Sequence, residues 1–147
     1  MKLRRWVWLV FCAAIALHVI DEALTGFLAV YNPTVMVLRG RWVWFPMPVF
    51  RFETWLSGLV AGVLLLLLLT PLATRAPRWF RIPARVLSVL MMLNACGHIL
   101  FTVLGRTVAE VTFRRPAPGF WSSLLLLPVS VWLFRRLGHA PSLPLLP

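Results

Sequence analysis

Long apolar runs, with Lys and Arg confined to their edges, constrain this chain more tightly than any other feature of its sequence. Runs at 6–31, 50–69 and 83–104 are long enough, at about 1.5 Å per residue, to cross a hydrocarbon core roughly 30 Å thick. A fourth, 119–134, is shorter and carries Pro128, so a local kink is expected there. Hydrophobic residues make up 61% of the 147, with only four acidic residues, and this excludes an ordinary soluble domain. A net charge of +11 would point to nucleic acid in a soluble chain. Here the cations sit where they anchor spans and meet lipid phosphates, so membrane lipids are the expected partners and nucleic acid is not one. The expected fold is an all-α integral membrane protein, one domain over 1–147: a four-transmembrane-helix bundle with a short interfacial helix and hairpin between the first two spans.

The connections carry their own signals. Met1-Lys2-Leu3-Arg4-Arg5 resembles the start of a secretory signal, with Ala14-Ile15-Ala16 as a cleavage site. The apolar pattern continues past residue 16 to Tyr31, which favours an uncleaved span ending at Asn32-Pro33. Asn32 and Pro33 make an N-cap and first-turn pair for a short helix through Arg39, ended by Gly40. Trp42, Trp44 and Phe45 with Pro46 and Pro48 then read as a hairpin on the membrane surface. In the second span Gly58 and Gly62 allow close helix approach. Pro83 is a good first residue for the third span, which ends before Gly105. The alternation from Val108 to Phe113 is compatible with a short extended piece. Cys12 and Cys96 fall at different depths and read as buried free thiols.

Four spans put both termini on one side of the membrane. Nine cations (Lys2, Arg4, Arg5, Arg75, Arg78, Arg81, Arg85, Arg135 and Arg136) share that side, against six on the other (Arg39, Arg41, Arg51, Arg106, Arg114 and Arg115). Cytoplasmic termini in a cell membrane follow from the positive-inside rule.

Against this apolar background the segment His18-Val19-Ile20-Asp21-Glu22 stands out. At 3.6 residues per turn its imidazole and two carboxylates project from one helical face, at a depth where ionisable groups are costly. Counting depth along each span places Glu53, Asn94 and His98 at similar levels, all in the outer half of the bundle. Each alone has a plain reading: a packing histidine, an acid answering a helix dipole, an interhelical amide. Their agreement in depth across three helices points to one site. Asp21, Glu22 and Glu53 have no Lys or Arg within the spans, so protons or a divalent cation must neutralise them. Two imidazoles with carboxylates suit Zn, Mn or Fe, with His18, Glu22 and His98 as expected ligands. Glu53 or Asp21 would complete the set or act in catalysis, and Asn94 would orient a ligand or water. Protons alone would instead give a carboxylate–imidazole relay.

The pattern His18-x-x-Asp21-Glu22, Asn94-x-x-x-His98 and Pro118-Gly119 resembles the HXXEE membrane protein family of prokaryotes, matching its three motifs in order. Asp21 stands where that family usually has Glu. The resemblance implies a four-span fold and a shared site, with no assigned reaction. The residues favour an intramembrane enzyme acting on a lipophilic small molecule, metal-assisted or acid–base. The alternatives are an ion- or proton-coupled carrier, which an apolar inner half argues against, and a structural subunit. Pro118-Gly119 is expected to bring the start of the last span over the site, where Gly119 permits close approach.

Overall fold

The computed structural model describes residues 5–138, so Lys2 and Arg4 lie outside it, while Arg5 and Ala14-Ile15-Ala16 of the signal-like segment are helical. Six helices and one small hairpin follow in order: α1 (Arg5–Thr25), α2 (Phe27–Arg41), α3 (Phe52–Leu68), α4 (Thr70–Arg75), α5 (Arg78–Leu104), β1 (Arg106–Val108), β2 (Val111–Thr112) and α6 (Phe120–Gly138). Three of them, α1, α5 and α6, are long and apolar enough to cross a membrane, and α3 is a shorter apolar helix of 17 residues.

Pairings across the helices fix an up-and-down arrangement. Trp6 at the start of α1 stacks on Trp132 late in α6, with centroids 4.7 Å apart, while His18 further along α1 meets Ser122 near the start of α6. Those helices are therefore antiparallel. Trp8 of α1 donates its indole N–H to the Leu66 carbonyl near the end of α3, 2.9 Å away, so α3 also runs against α1. Arg85 early in α5 lies 4.6 Å over the Phe134 ring late in α6, which makes α1 and α5 parallel. The end that holds Trp8 is filled by Val7, Phe11, Cys12, Phe80, Ala84 and Leu133, all buried. Small and large side chains alternate there, as close helix packing requires.

Several boundaries differ from the sequence expectation. The first helix breaks at Gly26, not at Asn32-Pro33. Gly26 adopts a left-handed conformation, φ 78°, which only glycine takes without steric cost. The chain turns there into α2, which runs through Pro33 and Gly40 to Arg41. Pro33 removes one ladder bond, and the Asn32 carboxamide holds that turn in place from the side. It donates to the Phe50 carbonyl at 2.9 Å and accepts from the Phe50 N–H at 3.0 Å. At the third span, Pro77 and not Pro83 precedes the helix, because Ala76 ends α4 in a left-handed conformation, φ 42°. Phe80 then packs 5.5 Å from Trp8, and Pro83 lies inside α5. α6 continues past Pro128 to Gly138. The extended piece after α5 is present as the antiparallel β1–β2 hairpin. Of the two cysteines, which are unpaired, Cys12 is buried but Cys96 is exposed, on the outer flank of α5.

Candidate metal centre

His18 and Glu22 lie four residues apart on α1 and therefore share a face. His98 reaches them from α5 at the same end of the bundle. The Glu22 Oε1 atom is 3.4 Å from His18 Nε2 and 3.1 Å from His98 Nε2, and all three side chains are buried. The two imidazoles meet edge to face with centroids 4.9 Å apart. One ligand atom from each residue lies within 4.8 Å of the others, so His18, Glu22 and His98 form a group able to hold a metal ion. A tetrahedral ion with bonds of about 2.0–2.1 Å has ligand–ligand edges of roughly 3.3–3.4 Å. The two edges to Glu22 fall close to that value, while the group as a whole spans up to 4.8 Å.

The surroundings orient His18. Ser122, in the first turn of α6, has its Oγ 2.8 Å from His18 Nδ1 and 2.7 Å from Asp21 Oδ2. Asp21 Oδ2 also accepts the Ser122 backbone N–H at 2.8 Å, which answers one of the unsatisfied N–H groups at a helix start. With its hydroxyl proton directed to the carboxylate, Ser122 Oγ accepts from His18 Nδ1–H. A neutral His18 then carries a lone pair on Nε2. That nitrogen is buried and has no hydrogen-bond partner, as a ligating nitrogen should before an ion is counted. Asp21–Ser122–His18 thus forms a chain of the kind that fixes metal-bound imidazoles from behind.

Gly119 closes the site from above. Its backbone is left-handed, φ 77°, and a Cβ placed on it would meet Glu22 Cγ at 3.0 Å, His98 Cε1 at 3.0 Å and His98 Nδ1 at 3.1 Å. Its N–H donates to Thr25 Oγ1 at 3.1 Å, tying the start of α6 to the last residue of α1. Pro118 beside it is buried against the same end of α5 and lines a cavity with His98 and Asn94.

The sequence-predicted residues divide accordingly. His18, Asp21, Glu22, His98 and Gly119 come together. Asn94 lies one turn from His98 on α5 and makes no hydrogen bond to the cluster; its Oδ1 is buried without a partner. Glu53 is a correction. Its side chain is 76% exposed and 3.9 Å from Arg51, at the first turn of α3. The buried or half-buried face of α3 carries Trp55, Leu56, Leu59, Val63 and Leu66, and Glu53 lies off that face. There it faces the positive end of the helix dipole. Ser122 was missed, because a serine at a span edge is unremarkable in sequence; its position three residues after Gly119 was the available signal.

No protein-family model, curated protein or solved structure matches this chain. Function must therefore be argued from the site itself.

Proposed function

We propose that this protein is a four-span membrane enzyme with cytoplasmic termini. Its buried centre holds a divalent metal ion, Zn, Mn or Fe, and acts on a lipophilic small molecule. The observation that carries the proposal is the unpartnered, buried His18 Nε2 beside Glu22 and His98, with no Lys or Arg paired to Glu22 among the described residues. Two imidazoles and one carboxylate leave a coordination position free, the pattern of catalytic rather than structural sites. A bound ion there would supply Lewis acidity and an acidified water. Asp21 and Ser122 would hold His18 in register, and Gly119 would keep bulk away from the free side. α3, extended by α4, completes the fourth crossing in this reading, and the HXXEE resemblance belongs to the same proposal.

A second reading has one observation in its favour: the 3.1 Å separation of His98 Nε2 and Glu22 Oε1 also suits a hydrogen bond. A proton relay from Asp21 through Ser122 and His18 to Glu22 would then do acid–base work without metal. Metal analysis of the purified full-length protein and of a His18→Ala, His98→Ala double variant separates the two. The metal reading expects one equivalent in the first and none in the second. Metal absent from both, or equal in both, promotes the relay.

A further inference from the structure

We infer that the cavity beside the proposed metal centre binds a neutral lipophilic alcohol, whose hydroxyl is held by the Asn94 carboxamide. This deepens the reading of the site as acting on a lipophilic molecule and rests on it for the chemistry, while the ligand class comes from the cavity alone.

The cavity measures about 410 Å³, within the roughly 300–1,000 Å³ range of small-molecule sites. Phe27, Tyr31, Phe101 and Phe113 supply an aromatic wall suited to an apolar body. Leu93, also in the wall, is 64% exposed, so one side of the cavity borders the outer surface of the bundle.

The polar groups in the wall are nearly all engaged. Tyr31 donates its hydroxyl to the Pro48 carbonyl at 2.9 Å, and Thr34 bonds the Val30 carbonyl at 2.7 Å and the Thr107 hydroxyl. His98 faces Glu22. Asn94 differs from all of these: neither atom of its carboxamide has a hydrogen-bond partner among the described residues, and Oδ1 is buried, whereas His98 leaves only Nδ1 without one. Such a group costs stability unless something satisfies it.

A carboxamide presents a donor and an acceptor side by side. A hydroxyl matches both at once, whereas an ether or ketone can only accept. A carboxylate or phosphate also only accepts, and its charge would meet no Lys or Arg in the wall. Asn94 and His98 are four residues apart, about 6 Å along the helix axis. A hydroxyl on Asn94 therefore places the next few bonds of its carrier beside the metal-facing imidazole.

The test uses full-length protein in detergent, stripped with chelator, and three probes of one skeleton: radiolabelled farnesol, farnesyl methyl ether and farnesoic acid. Saturable farnesol binding is expected, with the ether and the acid at least about tenfold weaker, because each leaves part of the carboxamide unpaired. In Asn94→Leu the preference for alcohol over ether should vanish. Equal binding of alcohol and ether to the unaltered protein, a preference for the acid, or a preference that survives in Asn94→Leu overturns the inference. The comparison of probes on unaltered protein stands even if the variant does not fold. Alcohol preference in a protein that never binds metal leaves this inference intact and defeats the metal centre. Stoichiometric metal without alcohol preference does the reverse.

Discussion

The two ends of the bundle use the same residue types in opposite ways. At the end holding Trp8, the buried Ser88 hydroxyl bonds the Ala84 carbonyl of its own helix at 2.8 Å, and the Ser130 hydroxyl is buried without a partner among the described residues. Beyond the Trp8 indole bond to the Leu66 carbonyl, the cross-helix contacts there are chiefly apolar packing. At the other end, Ser122 bridges two groups on α1, Thr25 accepts from the Gly119 N–H, and Glu22 joins two imidazoles from different helices. A polar residue that satisfies itself locally leaves helix packing undisturbed. Polar residues that need partners on other helices are high-stakes, because each depends on the rest being in place. One end therefore reads as scaffold and the other as site.

Glycine substitutions should break this contrast most sharply. Gly119→Val combines a left-handed backbone, worth about 1–3 kcal/mol of strain, with overpacking of about 1–3 kcal/mol against Glu22 and His98. A loss of about 4 kcal/mol in equilibrium unfolding, together with loss of metal, is expected. Gly58, whose added Cβ would meet nothing within 4 Å, serves as the control, and Gly58→Ala should change neither quantity.

At the scaffold end the expected effect is smaller and of another kind. Leu133→Ala, at a side chain with no exposed surface, should cost about 2–3 kcal/mol through lost packing. Metal bound per folded molecule should not change. If metal falls in proportion, the two ends are not separable.

These boundaries show how far the sequence could be read. Helix existence, the site's end of the bundle and the grouping of His18, Glu22 and His98 followed from apolar length and from spacing at i and i+4. The break at Gly26 did not, because an uninterrupted apolar pattern hides a left-handed residue until tertiary contacts, here Gly119 N–H to Thr25, select it. Glu53 was misplaced for a related reason. Depth along a helix says nothing about azimuth, and Glu53 lies off the packed face of α3.

Smaller effects sharpen the contrast further. Ser122→Ala removes the acceptor for His18 Nδ1 while leaving every ligand, so metal affinity should fall about 10–100-fold, with little change in fold by circular dichroism. Unchanged affinity would show that His18 needs no support from behind. Glu53→Gln should be nearly silent, within about 0.5 kcal/mol, since exposed pairs of this kind contribute little. A loss of metal in that variant would restore Glu53 to the site.

The most direct measurement is X-ray absorption spectroscopy at the metal edge of the full-length protein purified with its own metal. The account predicts a four- or five-coordinate ion with nitrogen and oxygen scatterers at about 2.0–2.2 Å and outer-shell features of two imidazoles, reduced to one in His98→Ala. A sulfur shell, a shell without imidazole, or a spectrum unchanged by His98→Ala would contradict it.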